Sequence, residues 1–228
     1  MFGSASAITV DGDLADWGIT DNDLLVVGNQ AAGSPVIGKS GDVFYWEEDS
    51  TTYKVGPAYG GENFDIEGLY YTAGGSSAFV AAVIGYEPGK MVSGEYYGDV
   101  FITTTTGLYA VTTYAHDGLD AGALYDVTGV RAATVAPSSS PAQVTAGTLI
   151  ANGADFTYAQ AGWFATDSDW IIELSIDVSK LSGTITSVHL TETCGNDSAT
   201  MSVPEPASMA LLGGGLLVLA MVGRRRFK

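Results

Sequence analysis

Phe64-Asp65-Ile66-Glu67-Gly68-Leu69-Tyr70-Tyr71-Thr72-Ala73-Gly74-Gly75-Ser76-Ser77-Ala78-Phe79-Val80-Ala81-Ala82-Val83-Ile84-Gly85-Tyr86 is the stretch that decides the fold. Two runs rich in aliphatic and aromatic residues, Phe64 to Thr72 and Ala78 to Tyr86, flank a glycine-serine connection. Aromatic and β-branched side chains suit a pleated surface, and glycine supplies the positive φ of a tight turn. The pattern predicts an antiparallel hairpin.

Working outward, similar runs occur at Val43 to Trp46, Val100 to Thr104, Tyr109 to Tyr114, Trp170 to Val178 and Thr186 to Thr193, with Thr104-Thr105-Thr106-Gly107 as a second turn. Ile8-Thr9-Val10 reads as a strand entering the turn Asp11-Gly12-Asp13-Leu14-Ala15-Asp16, after which Trp17 is expected to plug one end of the core. No apolar helical period longer than about two turns interrupts residues 8 to 200, so an all-β domain is expected, two antiparallel sheets packed as a jelly-roll-like sandwich. Ala136 to Pro141 reads as a surface loop of that domain.

Of the nine basic residues, Arg224, Arg225, Arg226 and Lys228 all stand at the C-terminus, leaving five against twenty-five carboxylates once Glu205 is set aside. A body so acidic repels nucleic acid and favours cations, cationic partners or solubility. The single cysteine, Cys194, rules out an internal disulfide, so the core must hold without a staple.

The ends carry a different signal. Met1 to Ala7 finishes in a small-x-small tripeptide of the kind a leader peptidase cuts, and is expected to be a signal-peptide remnant with Ile8 as the first mature residue. At the other end, Val203-Pro204-Glu205-Pro206 precedes an apolar run from Ala207 to Val222, and the arginine cluster follows. Sixteen residues make a helix of roughly 24 Å, enough to span a bilayer core of about 30 Å with snorkelling arginines. Positive charges after the span stay cytoplasmic, which leaves everything before Pro204 outside the inner membrane. A transmembrane helix over 207–222 is expected.

Residues 203–228, with their order of Val-Pro-Glu-Pro motif, glycine-bearing apolar span and terminal arginines, resemble the PEP-CTERM tail. The resemblance implies recognition by an exosortase, transient anchoring in the inner membrane, cleavage near Pro204 to Pro206, and delivery to the cell surface or an exopolysaccharide matrix. The body, through Asp11-Gly12-x-Leu14-x-Asp16-Trp17, Phe64 to Tyr71 and Cys194-Gly195-Asn196-Asp197, resembles the family 9 carbohydrate-binding modules, which implies a non-catalytic β-sandwich.

Within the body, alternate strand residues share a face, placing Asp65 and Glu67 about 6.5–7 Å apart. A Ca²⁺ ion needs six to eight oxygens, and Asp65, Glu67, Asp99, Asn196 and Asp197 are the candidate ligands. The alternative is that these acids are solvated or bonded within turns. The same pair could serve glycoside hydrolysis, where two carboxyls roughly 5 to 9.5 Å apart act together. Nothing in the sequence marks a cleft or a tuned acid, and a non-enzymatic protein is expected.

Neither His116, beside Asp117-Gly118 in an expected turn, nor His189, in a strand, accompanies a Gly-x-Ser-x-Gly elbow. Sugar binding would draw on Tyr45/Trp46, Tyr70/Tyr71, Tyr96/Tyr97, Trp163 and Trp170, although adjacent pairs point to opposite faces and most must be core. The remaining possibility is a self-associating structural component crosslinked by divalent cations.

Overall fold

The computed structural model describes residues 8–19, 36–47, 64–134, 140–151, 155–160, 169–195 and 197–203. The expected signal-peptide remnant, the 207–222 helix, Asn196, Trp163 and the interior of the 136–141 loop lie outside the described residues. Among the described residues no helix is long and apolar enough to cross a membrane.

Among the described residues twelve strands form two antiparallel sheets. The first has the order β1 (Val36–Ser40), β2 (Val43–Glu47), β3 (Ile66–Gly74), β4 (Ser77–Ile84), β10 (Trp170–Asp177), β9 (Phe156–Gln160). The second runs β12 (Ser198–Ser202), β11 (Ile185–Thr191), β5 (Val100–Thr104), β6 (Leu108–Val111), β7 (Leu124–Ala132), β8 (Pro141–Ala151). The all-β expectation holds, and the hairpin read from residues 64–86 is β3–β4, paired from Gly74↔Ser77 up to Ile66↔Ile84. The jelly-roll expectation does not fit this order, because β1 to β4 and then β5 to β8 meander within one sheet each instead of alternating between sheets.

The inner faces meet in one core. Val80, Ala82 and Ile84 of β4 with Ile172, Leu174 and Ile176 of β10 oppose Val100, Ile102, Val188, Leu190 and Met201 of the second sheet. The run from Val80 to Ile84 is apolar without a break because the other face of β4 is covered too. Ala81, Val83, Tyr70 and Ile171 lie beneath Leu14, Trp17 and Ile19 of the N-terminal segment. Trp17 therefore seals the outer face of the first sheet and does not plug the end of the core, and Ile8 to Val10 form no strand.

A buried carboxylate on β10 holds that cover in place. Glu173 Oε1 accepts from Trp17 Nε1 at 2.7 Å, and Oε2 accepts from the Gly12 and Asp11 amides at 2.6 and 3.1 Å. The outer face of the second sheet is covered differently. The β7–β8 hairpin slips register at four places and carries Val144 onto Phe101 and Ala110. Such slips bend a hairpin out of its sheet.

The strand ends define two ends of the sandwich. Val203, the last described residue, leaves beside the β3–β4 and β5–β6 turns and the Val178–Thr184 connection, and we call this the tail-side end. At the far end β4 finishes, β5 begins, and the β6–β7 and β11–β12 connections gather.

Candidate functional site

The far end holds the chemistry of the body. Tyr97, fully buried, donates from its hydroxyl to the Asp65 carbonyl at 2.7 Å and accepts from the Gly85 amide at 2.9 Å, tying the β3 and β4 ends to the second sheet. Its ring lies 4.2 Å from that of Tyr86. Beside it, Asp197 Oδ2 accepts from the Ile66 amide at 2.7 Å, and the Asp197 amide donates to Glu192 Oε2 at 2.8 Å.

Glu192 Oε1 is buried with no hydrogen-bond partner among the described residues. Burial, then the charges of Asp197 and Asp65, push its pKa well above the usual carboxylate value. The folded chain thus keeps a proton that the unfolded chain releases above about pH 4.3. That term stabilises fully below the unfolded pKa and is lost as pH rises towards the folded one. Glu192→Gln should therefore melt higher than wild type at pH 8 by a few degrees, with the difference closing near pH 4. His189 is pushed down to about 4 by burial and acts in the opposite sense between pH 4 and 6.5, so the comparison is cleanest above pH 6.5.

Of the five candidate calcium ligands, the structure brings Asp65 and Asp197 to one place. The register slips between Ile66 and Gly68, breaking the alternation on which a shared face for Asp65 and Glu67 depended. Asp65 acts on Glu192, whereas Glu67, with Glu47, acts on Tyr70 beneath the N-terminal cover.

Asp99 is fully buried and engaged elsewhere: Val144 N–H at 2.7 Å, Thr113 N–H at 3.1 Å and His116 Nε2 at 3.1 Å all meet its carboxylate. Among the described residues no group of three or more His, Cys, Asp or Glu side chains is arranged to hold a metal ion.

His116 sits where the sequence placed it. Asp117 and Gly118 take φ of 49° and 80° between the paired His116 and Leu119, the two left-handed positions of a type I′ turn. Burial alone would lower the His116 pKa, but the bond to Asp99 and its charge, with Asp117 behind them, raise it. This makes the Asp99–His116 pair a brace that joins β5, the β6–β7 connection and β8. His189, in β11, bonds Thr200 Oγ1 through Nδ1 at 2.7 Å.

Between these elements an open groove of about 480 Å³ is lined by Glu87 to Lys90, Thr113 to Ala115, Ala121 and Tyr158. Tyr158 is 40% exposed and leans on Trp170 and Phe156, with ring centroids at 6.0 and 6.1 Å. Across the groove Tyr114 stacks on Tyr96 at 5.0 Å and lies 4.8 Å from His116. Burial and the nearby Asp99 push its hydroxyl up to about 12, so it remains neutral at ordinary pH.

The aromatic stock read from sequence sorts accordingly: Tyr45, Trp46, Tyr70, Tyr71 and Tyr97 are buried, while Tyr96 and Trp170 brace the groove rings. Tyr114 and Tyr158 were not among the sugar-binding candidates. The alternation Phe156-Thr157-Tyr158-Ala159-Gln160 marks a strand but not which edge of the sheet it occupies.

The last strand runs into the tail without a break. Ser202 ends β12, and the Val203 amide donates to the Thr186 carbonyl at 2.8 Å. Residues 202–226 match the PEP-CTERM protein-sorting motif. The tail carries the PEP-CTERM sorting motif. This motif implies export, a membrane-associated sorting step and processing by an exosortase, and its matched segment begins on the final residue of β12. No curated protein and no solved structure matches the chain, so the likeness of the body to family 9 carbohydrate-binding modules gains no support from relatives.

Proposed function

We propose that this chain is a non-catalytic cell-surface or extracellular-matrix protein, a β-sandwich delivered by the PEP-CTERM tail, anchored first in the inner membrane and then released by an exosortase. The observation that carries this reading is the motif at 202–226 joined directly to a folded strand. A non-catalytic body is supported by the work its ionisable groups already do. Asp99 and His116 brace each other, Glu173 holds the N-terminal cover, and Asp197 joins the sheets. Replacing Pro204-Glu205-Pro206 by alanines should leave the protein full-length and membrane-held in its native host, as read by fractionation and intact mass. Unchanged processing would overturn the sorting reading.

A second reading, a module that docks on exopolysaccharide, is favoured by the far-end groove. Aromatic rings stack on sugar faces, and a ring held by packing loses little freedom on binding. Tyr158 and Tyr114 are two such rings, with Glu87 and Lys90 available to bond hydroxyls. If the groove binds glycan, Tyr158→Ala should weaken retention on the host's polysaccharide at least tenfold, a loss of about 1.4 kcal/mol, while the variant stays folded at the assay temperature. Equal retention would remove the groove from consideration.

A further inference from the structure

We infer that the tail-side end of the sandwich is a membrane-facing surface, apposed to phospholipid headgroups for as long as the tail holds the chain. This rests on the anchoring reading above and adds an orientation to it.

Two observations carry it. The first is the length of the tether. Val203 is bonded to Thr186 and packs against the core, so the body is fixed up to that residue. Only Pro204, Glu205 and Pro206 separate it from the apolar run that starts at Ala207. Four residue steps, even fully extended, reach roughly 14 Å. An anchored body must keep this end within that distance of the bilayer.

The second observation is the division of charge. At the tail-side end the described surface charges come close to balance: Lys39 pairs with Asp42 at 3.8 Å, Lys180 follows Asp177 across a short turn, and Asp155, held beside Ser175, adds one exposed carboxylate. The rest of that surface is exposed hydroxyl and glycine, as in Thr105, Thr106, Ser182 and Gly183. Such groups can meet hydrated headgroups without burying a charge. The far end instead exposes or half-exposes Glu87, Glu95, Asp117 and Asp120 against Lys90 and Arg131, above the buried Asp65, Asp99, Glu192 and Asp197.

Anionic lipid in the outward-facing leaflet of the inner membrane repels carboxylates within a Debye length of about 8–10 Å. The eight residues of β4, at about 3.4 Å each, put the far end roughly 27 Å away, beyond that range. Tether and field thus select the same orientation. It leaves the far-end groove pointing away from the lipid, accessible while the protein is still anchored.

The test uses the full chain, with Cys194→Ser, in vesicles of phosphatidylethanolamine and phosphatidylglycerol carrying a nickel-chelating headgroup lipid. Nitroxide labels are placed singly through Thr105→Cys, Ser182→Cys and Ala121→Cys, all at exposed positions. Relaxation by the headgroup nickel should be several-fold stronger at residues 105 and 182 than at 121. Equal relaxation at the two ends, or stronger relaxation at 121, overturns the orientation while leaving the anchor intact. A chain that does not float with the vesicles overturns the anchor itself. Hydrogen exchange on the unsubstituted chain, vesicles against detergent, provides the check that needs no labels. Slowing should be confined to residues 104–107 and 182–186, and slowing at 113–121 instead would refute the proposal.

Discussion

Gly98→Ala should destabilise the body by about 3 kcal/mol or more, at the upper end of what overpacking usually costs. A Cβ on residue 98 would stand 2.1 Å from the Ala142 carbonyl oxygen and 2.4 Å from that of Thr191. Both oxygens are backbone, and both are acceptors for this very segment. Gly98 N–H donates to Thr191 at 2.9 Å, and Asp99 N–H donates to Ala142 at 2.8 Å.

Neither oxygen can swing aside as a side chain would, so relief requires β8 or β11 to move away from the start of β5. That movement also strains the Asp99 carboxylate, which binds Val144 N–H and Thr113 N–H. For a domain of this size the midpoint should fall by roughly 6–12 °C. Gly74→Ala provides the comparison, since a Cβ there meets nothing within 4 Å. If both variants melt together, β8 does not approach β5 as described.

Glu173→Ala should cost about 3 kcal/mol, and its effect should be concentrated in the N-terminal segment. Removing the carboxylate leaves the buried Trp17 indole N–H and the part-buried Gly12 amide without their acceptor, and a stranded buried donor costs about 1–3 kcal/mol. Among the described residues, what else ties the segment to the sheet is chiefly the packing of Leu14, Trp17 and Ile19. Once it lifts, Tyr70, Ala81, Val83 and Ile171 are exposed to water. Hydrogen exchange at residues 14–19 should accelerate by orders of magnitude more than at β5 or β11, together with a lower melting temperature. Uniform acceleration, or none, would show that the cover does not depend on Glu173.

Where the sequence was legible, the reason is local. Turn glycines, short runs of β-branched and aromatic residues and the absence of a helical period are properties of neighbouring residues, and they identified β2 to β6, β10 and β11. The missed strands carry a weaker pattern. Much of β7 and β8 is exposed or half-buried, so Thr, Gly and Ala replace the apolar alternation, and β8 begins at a proline, a residue a sheet accommodates at a strand's first position or on an edge strand. β12, Ser198-Ala199-Thr200-Met201-Ser202, is an edge strand whose only apolar residues are Ala199 and Met201, and it has no β-branched aliphatic or aromatic residue to mark it.

By itself, then, the sequence determined that the body is all-β, that it is acidic and without a disulfide staple, and that it ends in a sorting tail. Each follows from composition or from residues adjacent in the chain. The tertiary structure alone decided which carboxylates meet. Glu173 finds Trp17 from 156 residues away, Asp197 finds Ile66 from 131, and one slipped residue at Glu67 separates a pair that ideal alternation would have kept together. A carboxylate's partner is set by the register of strands distant in sequence, and a single-residue shift changes the face on which a side chain lies, so no local pattern can specify it.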